Sequence, residues 1–303
     1  MELQQLRYVV AVAETGGFTR AAERCLVVQS ALSHQVAKLE KELGARLFER
    51  TSRRVRLTAA GEAFLPAARQ ALDAAERARA EVAAATGEIR GRLTIGAIAT
   101  VTAVDVPRLM SGYYAAYPRV TMRLLDGASE TLAASVREGT VDLAFLGVPP
   151  SFPTHEPALG SRTLVVDRHV AVVPPGHPLA LRARGTPIPL SRLVDEAFVD
   201  FPAGLAARAQ TDEAFAAAGL RREVPFEAKG LDVIAELVRC GLGVALLPSR
   251  LVPRLPGLAV VALRGGPVRE ERLVWSRERH SPAAAAFLET VARDPAEAHL
   301  PGT

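Results

Sequence analysis

Three rhythms of apolar and polar residues succeed one another along the chain, and each predicts a different architecture. In the first, Leu3, Leu6, Val10 and Ala13 recur at helical spacing, so the chain opens on a one-faced helix. Gly16-Gly17 ends it, and Thr19 is placed to cap a short second helix, Arg20 to Cys25, built on Ala21 and Ala22. Side chains that small let another helix cross closely. A third helix is predicted from about Gln29 to Leu43. It turns Leu32, Val36, Leu39 and Leu43 inward and Ser30, Ser33, His34, Gln35, Lys38 and Lys41 outward, and Gly44 stops it. Leu47 to Arg50 and Val55 to Leu57 then read as two short strands around a polar, basic tip, Thr51-Ser52-Arg53-Arg54. Three helices followed by a hairpin predict a winged helix-turn-helix over residues 1–58.

The second rhythm is a heptad. Thr58 is placed to cap a helix from Ala59 to about Glu88, roughly 45 Å long at 1.5 Å per residue. Its seam is Phe64, Ala68, Ala71, Ala75, Ala78, Val82, Ala85 and Ile89, spaced alternately by four and three. Such a seam predicts pairing with a second copy, although packing on the remainder of its own chain is the other arrangement it permits. Pairing makes residues 59–90 a linker and dimerisation helix, and sets two copies of the N-terminal unit in a two-fold relation. Pro66, within the first turns, predicts a kink.

From Gly91 the rhythm changes to short strands alternating with helices. Leu93 to Ile95, Val120 to Leu125 and Val141 to Phe145 read as strands, with helices Val104 to Tyr117 and Leu132 to Glu138 between them. That is a βαβαβ unit and implies a parallel sheet. A second set follows. Its strands are Val165 to Val173, Phe198 to Phe201, Val224 to Ala228 and Val244 to Leu247, and its helices are Leu205 to Ala218 and Asp232 to Cys240. Val260 to Leu263 and Arg272 to Ser276 carry the chain back to the first unit, before a last helix from Pro282 to Ala292. The fold class is therefore α/β behind an N-terminal winged helix-turn-helix.

Charge adds a location. The formal net charge is +4, and residues 1–60 hold 10 Lys and Arg against 6 Asp and Glu, whereas the rest of the chain is balanced. The excess coincides with the helix-turn-helix, which is where a reader of phosphate needs it. No apolar run reaches the ~18 residues of a membrane helix, and the opening lacks a signal-peptide layout, so the expected location is cytoplasmic. Cys25 and Cys240 lie far apart and form neither a CxxC nor a metal spacing.

The outer face of the third helix suits a major groove. Gln pairs bidentately with adenine, Ser is adaptable and Lys neutralises phosphate. That makes Gln29, Ser30, Ser33, His34 and Lys38 the candidate DNA-binding residues. Arginines at a hairpin tip suit the minor groove, whose negative potential attracts guanidinium, which adds Arg53 and Arg54. An ordinary three-helix bundle with a polar outer face is the competing reading of the helices, but it has no need of the basic hairpin.

The stretch from Phe18 to Pro66, FTRAAERCLVVQSALSHQVAKLEKELGARLFERTSRRVRLTAAGEAFLP, resembles the N-terminal signature of LysR-type transcriptional regulators. The resemblance implies that Gln29, Ser33 and His34 lie at the base-reading end of the recognition helix and Arg53 and Arg54 in the wing. Val28 departs from it, because the family commonly has Ser there as the cap of that helix. Ala59 stands where Pro often opens the next one.

The resemblance further implies that residues 91–303 form an effector domain of the periplasmic-binding-protein type. One lobe takes in about 91–162 and 266–303, the other about 163–265. Ligands of open α/β sheets sit beyond the carboxyl ends of strands, here in the cleft between lobes. The candidate effector residues follow. Thr100 and Thr102, with Ala99 and Val101, come after the first strand; their hydroxyls and free N–H groups ahead of a helix suit an anion. Ser129 is placed to cap the second helix, and Gly147 follows the third strand. Phe201 and Pro202 precede a helix of the second lobe. Plain helix caps are the alternative for Thr100 and Ser129.

No G-x-S-x-G elbow, H-E-x-x-H pair or P-loop lysine occurs, and Gly241-Leu242-Gly243 lacks the third glycine of a dinucleotide fingerprint. His155, His169, His177 and His280 are scattered and read as structural. The expectation is a regulator, not an enzyme, with neither metal nor cofactor. Its expected partners are double-stranded DNA, a small-molecule effector such as a carboxylate, further copies in a homodimer or homotetramer, and RNA polymerase. A solute-binding protein, or an α/β enzyme with a fused interaction domain, are the alternatives.

Overall fold

The computed structural model describes residues 1–50, 55–152, 157–183, 185–278 and 281–293. Two units divide the chain, Met1–Gly91 and Arg92–Thr303.

In the first unit, α1 (Leu3–Thr15) stops where Gly16 turns left-handed at φ 67°. Helices α2 (Phe18–Arg24), α3 (Gln29–Leu43) and α4 (Ala59–Ala85) follow, with strands β1 (Phe48–Arg50) and β2 (Val55–Leu57) before α4. Helix α1 meets α2, α3 and α4 at once. Its buried arc is therefore wider than one stripe and takes in Gln5, Leu6, Tyr8, Val9, Ala11 and Val12, while Leu3 is exposed. Ala21 and Ala22 are buried at the crossing of α2, and Leu32, Val36 and Leu39 complete the core beneath α3; Leu43 stays outside. Gly17 caps α2 in place of Thr19, so that helix starts two residues earlier than its pattern suggests. β1 and β2 pair antiparallel, Phe48 opposite Leu57. Glu40 ties this hairpin to the back of α3, its Oε1 accepting the N–H groups of Leu47 (2.8 Å) and Phe48 (3.2 Å).

Thr58 caps α4 as predicted, accepting from the Gly61 N–H at 3.0 Å. The helix contains Pro66 and ends at Ala85, three residues short of Glu88. Along the heptad seam the two ends differ. Ala68 is buried and Phe64 packs on the core of this unit, whereas Ala78, Val82 and Ala85 are exposed.

In the second unit β3 (Gly91–Ala97), α5 (Val106–Ala116), β4 (Val120–Asp126), α6 (Ser129–Glu138) and β5 (Leu143–Val148) form the predicted βαβαβ run. β3 and β5 are parallel. The complete sheet is mixed rather than parallel, because β6 (Leu159–Val173) and β13 (Val268–Ser276) run antiparallel to each other, and β13 antiparallel to β5. Leu132, Ala133 and Val136 of α6 pack on Ala144, Leu146 and Val148. Helix α10 (Pro282–Ala292) closes this lobe against α5, where the Tyr113 hydroxyl donates to Ala283 O at 2.8 Å.

The long β6 carries the chain onward. It pairs with β13 through Arg168 and with β10 (Ala245–Pro248) from His169. Between them come α7 (Pro178–Ala183), β7 (Ile188–Pro189), β8 (Ala197–Asp200), α8 (Ala206–Ala217), β9 (Glu223–Glu227) and α9 (Leu231–Arg239). β11 (Ala259–Val261) and β12 (Leu263–Arg264) lead back to β13. Side chains alternate across this second sheet. Ala171, Val173 and Leu246 join the core that holds Phe215 of α8, while Val172, Ala245 and Leu247 meet Ile234, Ala235 and Val238 of α9.

Candidate functional site

The exposed face of α3 presents Gln29, Ser30, His34 and Lys38, with Ser33 half-buried between them. Val28 is the N-cap, and it has no side-chain oxygen to accept the free N–H groups of the first turn. The Gln29 amide donates to Ser33 Oγ at 2.8 Å, one turn on. Lys38 lies 3.5 Å from Glu2, an exposed pair of little strength, so its cation is available to a phosphate. Arg53 and Arg54 lie outside the described residues.

The second unit holds a cavity of about 340 Å³ between its lobes. Ile98, Ala99 and Thr100 follow β3, Gly127 to Ser129 open α6, and Gly147 lies in β5; these are its first-lobe wall. His169 of β6, Phe201, Gln210 of α8, Lys229 and Leu246 form the opposite wall. Arg269 of β13 also lines it.

Arg269 organises the first-lobe wall. Its guanidinium donates to Thr100 Oγ1 at 2.9 Å and to Thr100 O at 2.8 Å, and it is ion-paired with Glu271. Burial pulls Arg269 below its usual range, and the Glu271 carboxylate acts against that pull. Glu271 in turn accepts the N–H groups of Thr102 and Ala103, both at 2.8 Å, and the Thr102 hydroxyl. The predicted anion site at Thr102 is thus filled by a carboxylate of the protein itself. Helix α5 begins only at Val106, capped by Asp105, so neither Thr100 nor Thr102 stands at its N-terminus.

Gly147 is the meeting point of the two walls. Ser129 Oγ donates to its carbonyl at 3.0 Å and accepts from its N–H at 3.1 Å. Across the cleft, the Gln210 amide donates to the same carbonyl at 3.1 Å. A Cβ on Gly147 would lie 2.6 Å from Ile98 Cδ1 and 3.2 Å from Arg269 Nη1, so a side chain there would have to displace those two side-chain ends. Ser129 is not the cap of α6; Ala128 is, and the serine hydroxyl is spent on Gly147. His169 is buried, with Nδ1 3.3 Å from Pro267 O. Desolvation and then the nearby Arg269 charge lower its pKa to about 4, so the ring is neutral near pH 7.

Residues 86–295 match the family model "LysR substrate binding domain", and residues 3–62 match "Bacterial regulatory helix-turn-helix protein, lysR family". The chain belongs to the LysR family. It is similar to the HTH-type transcriptional regulator IlvR of Caulobacter vibrioides, 34% identical over 97% of this chain and 98% of that protein. It is also similar to the transcriptional dual regulator GltC of Bacillus subtilis, 36% identical over 82% of this chain and 81% of that protein. Among solved structures, full-length OxyR from Pseudomonas aeruginosa matches with a TM-score of 0.73 and 28% identity, over 98% of this chain and 96% of that one. Full-length CbnR complexed with its target DNA matches with a TM-score of 0.69 and 26% identity, over 97% of this chain and 99% of that one.

This LysR-family chain is a transcriptional regulator with a helix-turn-helix DNA-binding domain and a ligand-binding α/β domain. Of the cleft residues predicted from its sequence, Ala99, Thr100, Ser129, Gly147 and Phe201 line the cavity. Val101, Thr102 and Pro202 do not. Val101 lines a neighbouring cavity and its carbonyl accepts from Arg254 at 3.1 Å; Thr102 is held by Glu271. His169, Gln210, Lys229 and Arg269 were not predicted. The sequence did carry one sign of Arg269. Arg269 and Glu271 stand two apart in β13, which puts two opposite charges on one face of a strand that also carries Glu270 and Arg272. No helix among the described residues is long and apolar enough to cross a membrane.

Proposed function

We propose that this regulator is controlled by a small-molecule carboxylate held in the cleft cavity, and that it reads DNA through Gln29, Ser30, Ser33, His34 and Lys38, with Arg53 and Arg54 as the wing. The observation that carries this is the composition of the cavity wall. It draws side chains from both lobes, so an occupant contacts both and biases the angle between them. The N–H groups at the start of α6 and the Lys229 ammonium favour negative charge in the occupant, against the one carboxylate of the lining, Asp126. Domain limits of 1–58, 59–90 and 91–303 fit this division of labour.

The regulator works as a homodimer, joined along the exposed half of the α4 seam, with effector domains linking two dimers into a tetramer. A change of lobe angle alters the spacing of paired readers, and so the bend of the DNA and the access of RNA polymerase. It works in the cytoplasm and catalyses nothing. A solute-binding protein would leave residues 1–91 without a role, and an enzyme with a fused interaction domain would not call for the helix-turn-helix that residues 3–62 match.

A gel shift with the genomic DNA upstream of the protein's own gene tests the reading. Salt-sensitive binding to that fragment is expected. Absence of such binding to any promoter fragment overturns it.

A further inference from the structure

The turn that leads into α3 departs twice from what local physics prefers, and both departures leave an apolar side chain in the open. Leu26 ends α2 in the left-handed region, at φ 55°, and among the described residues it is the only one besides glycines with a positive φ. Glycine is the usual occupant of such a turn, because a Cβ is crowded there. Leu26 is also 92% exposed. The turn sends the Val27 N–H back to Ala22 O at 3.0 Å and packs Val27 on the core of its unit. The chain then passes through Val28 in an extended conformation, φ −73° and ψ 142°, and Val28 caps α3. Valine is among the poorest residues for that position, where Ser, Asn or Asp would supply an oxygen. It is 69% exposed and stands directly before Gln29. Local preference is overridden where packing or function outweighs it, and packing does not account for two exposed side chains.

We infer that Val28 reads a thymine, its isopropyl group resting on the C5-methyl in the major groove, and so determines part of the sequence specificity. The inference rests on the proposed reading of DNA by α3 and adds one base to it. A phosphate calls for a cation, an N–H or a hydroxyl, and the side chain of Val28 offers none of these. On the base edges of the major groove the apolar group is the thymine methyl. A β-branched side chain also has few χ1 rotamers to lose, so little freedom is given up on contact. The neighbouring residue agrees with this reading. Gln29 suits an adenine, and an A·T pair shows adenine N6 and N7 beside the thymine methyl. Val28 and Gln29 therefore find matching features on one base pair or on successive pairs. A serine at the same place would offer a hydroxyl, which takes no account of a methyl group.

Deoxyuridine lacks that methyl and is otherwise identical to thymidine in the base, which makes it the probe. The upstream fragment bound by the full-length protein is narrowed by footprinting to a short duplex, and its thymines are replaced by deoxyuridine one at a time. At one or more thymines within the footprint, replacement is expected to weaken wild-type binding about fourfold, the factor that goes with leaving a single methyl group in water. In Val28→Ser the factor at those thymines is expected to fall to about one, with the other positions responding as in wild type. Val28→Ser supplies the missing cap oxygen, so a Tm at or above that of wild type is expected. If that variant does not fold, Val28→Asn takes its place. A wild type indifferent to every methyl, or a variant that keeps the same sensitivity, would overturn the inference and leave DNA reading by α3 standing. A protein that binds no promoter fragment would overturn both.

Discussion

Arg269 holds Thr100 twice, at its hydroxyl (2.9 Å) and at its carbonyl (2.8 Å), across 169 positions of sequence. The loop after β3 is thereby fixed to the strand that returns from the second lobe, and Glu271 completes the clamp at Thr102 and Ala103. Arg269→Met removes the cation and leaves Glu271 charged and 1% exposed. A destabilisation of about 3–5 kcal/mol is expected, with part recovered in Arg269→Met combined with Glu271→Gln. Thermal unfolding of the full chain measures both; a single variant as stable as wild type would show that the clamp carries no net energy.

His169 gives the protein a pH dependence of predictable sign. Its folded pKa, about 4, lies below the unfolded value near 6.5, so protons bind the unfolded state first. Stability is therefore full above about pH 6.5 and declines as pH falls toward 4, by up to about 3 kcal/mol. His169→Gln, which keeps a neutral polar group, is expected to shrink the difference in Tm between pH 7 and pH 5. An unchanged difference would mean that other groups govern this range.

The hairpin and α4 meet so closely at Gly61 that no side chain fits. A Cβ there would lie 2.1 Å from Leu47 O, a backbone atom that cannot move without shifting β1. Gly61→Ala is expected to cost about 1–3 kcal/mol or more, although alanine is the better helix former. Chemical denaturation followed by circular dichroism checks the sign; a gain in stability would contradict the packing.

On DNA, Gln29→Ala and Arg53→Ala are expected to differ in kind. Loss of a base-reading amide relaxes sequence preference, whereas loss of a phosphate-attracting wing arginine weakens binding on all sequences and lowers the salt slope by roughly one. Binding titrations at several salt concentrations, on operator and scrambled duplexes, separate the two. Equal loss on both duplexes in Gln29→Ala would remove Gln29 from base reading.

Val82, 70% exposed on the α4 seam, is the residue on which dimerisation is most simply tested. Val82→Glu places a charge in the proposed helix pair without disturbing the core of its own unit. Light scattering at micromolar concentration is expected to show a lower mass than wild type. Equal masses would assign self-association to another surface.

The helix-turn-helix, the hairpin strands and the long helix were legible in the sequence because their signals are local. Helical period, a glycine stop and a threonine cap all lie within a few residues of what they specify, and Gly44 and Thr58 act where the pattern puts them. Boundaries slipped where packing outvoted propensity, as when α2 began at Phe18, whose ring meets that of Phe48 at 5.7 Å. The cleft was legible only in part. Thr100, Ser129 and Gly147 follow from the rule that loops after strands face a cleft, but their roles do not, since Ser129 is spent on Gly147 and Thr100 is held by Arg269. Gln210, His169 and Arg269 sit on three elements brought together by the lobe-crossing strands β6 and β13. A hydrogen bond such as that from Gln210 to Gly147 spans 63 positions, and no local pattern encodes its partner. Sequence by itself determined what this protein is, a DNA reader joined to a ligand-binding domain. The tertiary structure decided which atoms meet in the cleft, because a hydrogen bond depends on distance in space and not on separation along the chain.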